Sequence, residues 1–445
     1  MTRARRWAVI GGGLLGLTIA RRLRAAGSAV TLFEAAPQLG GLASAWRLGD
    51  VTWDRHYHVT LLSDFHTRAM LRDLGLEAQM RWTTTGTGFF AGDGVRPLSN
   101  AFDYLRLPHL NLWEKARLAA TILYAARVRD WRRLEEIPVA DWLTRLSGRS
   151  TFERLWLPLL RAKLGESWRE TSAAFIWATI QRLWAARTSG IKREMLGYVP
   201  GGYAAIVARH RELLENAGVA VRVATAVKTI EAAGAGVRVA CAEAAAETFD
   251  SVVLTTTPRV AAQLCTGLAE PERAVLERVR HQGIVCASLL YPEPLSNYYL
   301  TYLTDASLPF TAVVEMSAFV DRAEFGGRSL IYLPRYASAR EPVFAQSDAE
   351  IESSFLAALA RVHPRFDRSR VLAFRVSRVR EVFPIPTLGY SRHVPAASLG
   401  VPGVHLVSSA QIVNGTLNVN ETVALAERAA SALVASGGAP ISLEA

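Results

Sequence analysis

"VIGGGLLGLTIARRLRAAGSAVTLFE" runs from Val9 to Glu34 and reads as a strand, a glycine-rich turn, a helix and a second strand ending in an acid. Gly11, Gly13 and Gly16 fit the spacing G-x-G-x-x-G. The first glycine permits a tight turn, the second lets a diphosphate approach the backbone, and the third lets helix and strand pack closely. The helix start offers free amides and a partial positive charge, which suit a diphosphate. Glu34 follows where a carboxylate can accept hydrogen bonds from ribose hydroxyls. Such a unit holds a dinucleotide. Whether that dinucleotide is a visiting substrate or a resident group has to come from the rest of the chain.

At 445 residues the chain is longer than one ordinary compact domain, so two or three are expected. No apolar run is long enough for a membrane-spanning helix, and glycines interrupt the N-terminal apolar stretch before a signal-peptide core can form. The expectation is a cytoplasmic protein. Cys241, Cys265 and Cys286 are widely spaced and contain no Cys-x-x-Cys pair, so they read as buried thiols, and no metal site is expected. The formal charge is +11. Its lysines are only Lys115, Lys163, Lys192 and Lys228, so the charge is almost all arginine, spread along the chain without a nucleic-acid-binding motif. No nucleic-acid partner is expected.

The opening unit is followed from Asn111 to about Trp184 by tryptophans, leucines and arginines at helical spacing. "GGYAAIVARHRELLENAGVAVRVATAVKTIEA" from Gly201 returns to helix, turn and strand, and "FDSVVLTTTP" adds another strand. A stretch from Gln282 to Arg340, rich in β-branched and aromatic residues, reads as a sheet, and the last segment as strand, loop and helix. The expected fold class is α/β: a Rossmann-like dinucleotide-binding domain assembled from residues 1–85, 198–282 and 375–445. A helical insertion at 86–197 and a sheet at 283–374 would form the substrate domain.

"FEAAPQLGGLASAW" resembles the second glycine signature of the superfamily of flavin-containing amine oxidases, protoporphyrinogen oxidases, phytoene desaturases and UDP-galactopyranose mutases. The likeness extends through "VPGGYAAIVARHRELLENAGVAVRVATAVKTI" and "VVLTTTP" to the C-terminal strand, loop and helix. "LWLPLLRAKLG" and "GYVPGGY" are similar to a bacterial protoporphyrinogen-oxidase-like branch, whose label does not fix a substrate. The resemblance implies FAD, held noncovalently as a prosthetic group. It implies a cofactor-binding set of Gly11, Gly13, Leu15, Gly16, Glu34, Ala35, Gly40, Gly41, Leu42, His58 and Val227, completed by Asn418 and Val419 at the start of the last helix. Two departures stand out. Ser408, Ser409 and Ala410 replace the usual Gly-Asp-like or Gly-Glu-like strand end, and Leu42 replaces the arginine of the "GGR" form.

"DRHYHVTLLSD" places His56, Tyr57 and His58 just after that signature. A histidine there can exchange a proton with substrate or hydrogen-bond to reduced flavin, or simply serve structure. His58 matches a flavin-proximal histidine of the mutase-like pattern and is the first catalytic candidate, with Tyr57 second. No lysine follows Lys228, which argues against the lysine-assisted amine oxidation of many superfamily members. Arg335 and Tyr336 read either as substrate contacts or as an ordinary strand end with a solvated arginine.

"LNLWEKARLAATILYAARVRDWRRLEE" sets Leu112, Leu118, Ile122 and Leu123 before Arg127, Arg129, Arg132 and Arg133. It fits either a peripheral contact with an anionic membrane or a buried helix with arginines at its C-terminal end. The tryptophan-rich segment after it fits either a substrate wall or core. The expected function is an FAD-dependent oxidoreductase, of dehydrogenase, desaturase or oxidase type, acting on a largely apolar small molecule such as an isoprenoid or lipid. Its electron acceptor and oligomeric state are not encoded legibly. The alternatives are a non-redox flavin-dependent mutase or isomerase, and an inactive flavoprotein scaffold.

Overall fold

A computed structural model describes residues 4–90, 92, 94–98, 110–188, 195–413 and 416–443. The quoted stretch forms strand β1 (Arg6–Ile10), helix α1 (Leu14–Ala25) and strand β2 (Ala29–Phe33). Leu14, Leu15, Leu17, Ile19, Ala20 and Leu23 are buried on α1, and β1 is almost entirely buried, as a strand covered on both faces must be. α1 ends at Ala25 with Arg22 and Arg24 in its last turn, where positive charge suits the carboxyl end of the helix dipole.

β1 and β2 belong to a five-stranded parallel sheet in the order Ala220–Arg222, β2, β1, Ser251–Leu254, Val404–Leu406. Three distant pieces of chain therefore build one sheet. The C-terminal helix Val419–Ser436 closes over α1, burying Ala426, Ala429 and Leu433. Arg22 meets Glu427 across that seam at 2.7 Å.

A second sheet has seven strands, ordered Ala373–Pro384, His281–Tyr291, Ser329–Ser338, Ala312–Glu315, Tyr298–Leu303, Gly86–Phe90 and Val95–Pro97. All its pairings are antiparallel except that of Tyr298–Leu303 with Gly86–Phe90. Four of its strands depart from the segment boundaries expected from sequence. Ala373–Pro384 lies across the 374/375 boundary, Gly86–Phe90 and Val95–Pro97 in the helical insertion, and His281–Tyr291 across the 282/283 boundary, yet all four join this sheet. Strand periodicity shows which face is buried and is silent on which sheet a strand joins. Within 86–197, residues 91, 93, 99–109 and 189–194 lie outside the described residues.

The helical segment packs around Trp142, Phe152, Trp156, Leu160, Trp168 and Trp177. Its tryptophans are therefore mostly core. The indole N–H groups of Trp156 and Trp177 donate to Ser147 Oγ and the Val128 carbonyl, both at 3.0 Å, which satisfies them away from water. No helix among the described residues is long and apolar enough to cross a membrane.

Candidate functional site

The glycines of the turn divide by what a side chain would meet. Gly11 has φ +116°, and a Cβ there would lie 2.5 Å from Thr255 Oγ1. Thr255 Oγ1 donates within reach of the Ile10 and Gly11 carbonyls, so this crowding is built in. A Cβ on Gly16 would lie 2.0 Å from the Gly11 carbonyl oxygen. Both positions need glycine for the protein's own packing. Gly13 differs: its φ of −74° is open to any residue, and a Cβ there meets nothing within 4 Å. The space above Gly13 is kept clear at the start of α1, where no side chain caps the free amides.

The second glycine signature is stitched to the first. Gly40 N donates to the Gly12 carbonyl at 2.8 Å, and a Cβ on Gly41 would come within 3.3 Å of Gly13 Cα. Gly40 and Gly41 both have positive φ, +113° and +57°, the region in which glycine is unstrained. Glu34 stands beside them and accepts from the Gly12 and Ala36 amides at 2.6 and 2.8 Å.

These residues line one side of a cleft of about 540 Å³, a size suited to a cofactor with part of a substrate. Gly11, Gly13, Leu15, Glu34, Gly40, Gly41, Leu42, His58, Asn418 and Val419 all lie on its wall. Gly16 sits beneath, in the helix packing. Ala35 is exposed, and Val227 is buried against Ile10, Phe33 and their neighbours; neither is among the lining residues. The last helix is capped by Asn418, whose side chain accepts from Glu421 N at 3.0 Å, and its N-terminus opens onto the cleft. Ser409 also reaches the wall, while Ser408 accepts from Ala410 N and so holds the turn that replaces the usual acidic strand end.

The opposite wall is aromatic. Tyr57 and Tyr336 share a hydroxyl–hydroxyl hydrogen bond of 2.8 Å, and the Tyr336 and Phe383 rings meet edge to face, 5.9 Å apart. Tyr336 is therefore a wall residue, whereas Arg335 turns to Glu341 at 3.3 Å. Burial and the neighbouring Tyr336 hold the Tyr57 phenol well above its usual value, so it stays protonated.

The histidines divide as well. His56 Nδ1 lies 3.2 Å from the Leu42 carbonyl, which can only accept, so Nδ1 carries the proton and Nε2 accepts from Ser377 Oγ at 3.1 Å. Burial, aided by Arg55, pushes its pKa down to about 3, which fixes it as a neutral structural link under Leu42. His58 is less buried and packs at a tilt against the Tyr203 ring, with centroids 4.6 Å apart and an interplanar angle of 43°. Its Nδ1 lies 3.6 Å from Asp54 Oδ2, beyond hydrogen-bond reach but within ion-pair range. The Asp54 carboxyl is raised by burial, and it also accepts from Tyr203 N at 2.8 Å. Only His58 of the pair keeps a ring available to the cleft beside a carboxylate.

Two wall residues come from the helical segment and were not singled out by sequence reasoning. Arg182 pairs with Asp64 at 3.1 Å. The Lys163 ammonium sits 3.8 Å from the centroid of Tyr336 and 5.0 Å from that of Phe383. Looking for a lysine only after Lys228 overlooked it, because it reaches the cleft from an inserted helix. No local signal marks it: "LLRAKLG" is an ordinary amphipathic turn until strand Ser329–Ser338 is laid against it.

An α/β fold whose glycine turn opens onto a cleft, facing an aromatic wall from a second sheet, has the two-sheet architecture of flavin-dependent enzymes. The family model for flavin containing amine oxidoreductase matches residues 16–434, and the chain belongs to that family. It is an FAD-dependent oxidoreductase. It is 27% identical over 458 residues to the carotenoid phi-ring synthase of Streptomyces griseus, covering 95% of this chain and 85% of that protein. It is 26% identical over 283 residues to the hydroxysqualene dehydroxylase of Sinorhizobium fredii, covering 59% of this chain and 64% of that protein. A crystal structure of reduced UDP-galactopyranose mutase superposes with a TM-score of 0.76 at 14% identity, over 97% of this chain and 96% of that one, a likeness of fold.

Proposed function

We propose that this oxidoreductase withdraws hydride equivalents from a largely apolar substrate of isoprenoid or lipid type. The observation that carries the reading is the two-sided cleft: bare glycine backbone on one wall, and Tyr57, Tyr299, Tyr336, Phe383, Ile284 and Val382 on the other. Backbone with no side chain over Gly13 suits a diphosphate, and an aromatic and aliphatic wall favours a hydrocarbon. The names of the carotenoid and hydroxysqualene relatives point the same way.

In this reading Gly11, Gly13, Leu15, Gly40, Gly41 and Leu42 would hold FAD noncovalently, with the Glu34 carboxylate available to accept from a ribose hydroxyl. The amides at Asn418 and Val419, at the start of the last helix, would favour electron density at the flavin's pyrimidine edge. Bound FAD supplies the two-electron acceptor; the protein supplies binding, orientation and a dry wall. His58, oriented by Asp54 and Tyr203, accepts or returns a proton at its free ring nitrogen. Tyr57, protonated at every working pH, offers a fixed hydroxyl. The helix Leu112–Arg127 docks on an anionic membrane from which the substrate is drawn.

The test is anaerobic addition of a panel of isoprenoids, with and without an oxygen head group, to the yellow holoenzyme. Flavin bleaching is expected, accompanied by a product with altered hydrogen count. In H58A, FAD content should be unchanged while bleaching slows by about a hundredfold or more. Flavin that stays oxidised with every such substrate, in an enzyme that turns over only after reduction and without net electron flow, would transfer the case to a mutase or isomerase. Protein that takes up no FAD would be a scaffold.

A further inference from the structure

Lys163 carries a charge that the cleft does not balance. Its ammonium has three N–H donors, and its closest partners are the faces of Tyr336 and Phe383. Among the described residues no carboxylate lies within 4.0 Å of it. The other charged groups of the same wall are occupied: Arg182 by Asp64 at 3.1 Å, and Glu381 by Thr257 Oγ1 at 2.7 Å and Arg259 at 2.9 Å. Next to Lys163 the Tyr57–Tyr336 pair spends one hydroxyl proton on its internal hydrogen bond and has a second to give. An ammonium and a hydroxyl donor thus converge in a corner whose other surfaces are aromatic. A pure hydrocarbon seated there would strip water from these donors and return no acceptor, which is unfavourable.

We infer that the corner formed by Lys163, Tyr336, Tyr57 and Phe383 is a carboxylate subsite, so that the substrate is an apolar chain bearing an anionic oxygen head group rather than a bare hydrocarbon. This rests on the proposed apolar-substrate reading and sharpens it. The carboxylate accepts from Lys163 Nζ and from the free phenolic O–H, and the aromatic faces hold the first carbons of the chain. Lys163 acts as a specificity-determining residue, with no part in hydride or proton transfer.

The test compares two probes of equal hydrocarbon, geranate and methyl geranate, titrated into the holoenzyme and followed by the flavin difference spectrum. Wild type should bind geranate at least about tenfold more tightly than its ester, as a charge-assisted hydrogen bond in a partly desolvated site provides. K163M should bring the two affinities together while leaving the ester's affinity and the flavin content unchanged, and K163R should keep most of the preference. Equal binding of acid and ester by wild type, a preference that survives in K163M, or no spectral response to either probe with flavin bound would each overturn the inference. Wild-type protein that retains no flavin would instead remove the reading on which it stands.

Discussion

Three glycines of one motif answer to different demands, and substitution separates them. Valine at position 16 would drive a Cβ to 2.0 Å from the Gly11 carbonyl, a backbone clash that no rotamer relieves. G16V should therefore destabilise by roughly 3 kcal/mol or more, or fail to fold. Valine at position 13 enters open space at an ordinary φ, and its own cost is about 1 kcal/mol for a poor helix cap. G13V should thus be purified folded, with a melting temperature close to that of the wild-type apoprotein, yet colourless, because the valine occupies the approach to the helix amides. Flavin retained by G13V in normal amount would show that the diphosphate does not lie there. At this scale much of the site was legible in the sequence. Glycine spacing, the acid after β2 and the cap at Asn418 are local constraints, each written within a few residues. Tyr336 and Lys163 were not, because their meeting depends on a helix crossing a strand more than 160 positions away.

The helix Leu112–Arg127 shows what an element conceals when its sequence is apolar on both faces. Leu118, Thr121 and Ala125 face the core, so its inner stripe is small and apolar. Its outer stripe carries Leu112 at 78% exposure, Trp113 at 72% and Tyr124 at 52%, with Leu123 between. Arginines gather where the helix ends: Arg127, Arg129 and then Arg133, paired to Asp130 while 88% exposed. A solvent-facing tryptophan and leucine followed by arginines are what the proposed membrane contact requires. Sequence periodicity could not tell the inner stripe from the outer, because leucine and alanine recur on both sides; burial does, and flotation tests the proposed membrane contact. The full-length protein is expected to float with phosphatidylglycerol-containing vesicles at low salt and far less at high salt, where screening removes the arginine contribution. L112S/W113S should lose flotation at both salt concentrations with no loss of FAD, since neither side chain packs against the cleft. Equal flotation of the variant and the wild type would exclude this helix as the contact.

Across the whole molecule, histidines set the response to acid. Burial lowers His56 and His210 to about 3 and His363 and His405 to about 4, from an ordinary value of 6.5. The unfolded chain takes up these protons as pH falls below 6.5, and the folded protein does not until pH 3 to 4. In that window the unfolded state binds more protons, so stability rises with pH and is lost on acidification. Each such histidine costs about 1 kcal/mol per pH unit, against a total stability on the order of 10 kcal/mol. Asp54 and Glu315, raised by burial, work in the opposite direction, but they are two carboxyls against these four imidazoles and a fifth, His281, which burial also lowers. The melting temperature should therefore fall steeply between pH 6.5 and 4.5. His210 isolates the cause. It lies buried in the helix Gly202–Asn216, both ring nitrogens lack a hydrogen-bond partner among the described residues, and it is remote from the cleft-lining set. H210L removes a proton-binding group without breaking a bond, so it should be neutral or stabilising at pH 7.5 and should flatten the acid slope by about 1 kcal/mol per pH unit. Thermal denaturation of both proteins across this range reads the difference directly, and parallel curves would mean that His210 is protonated in the folded state or that acid opens the protein elsewhere first.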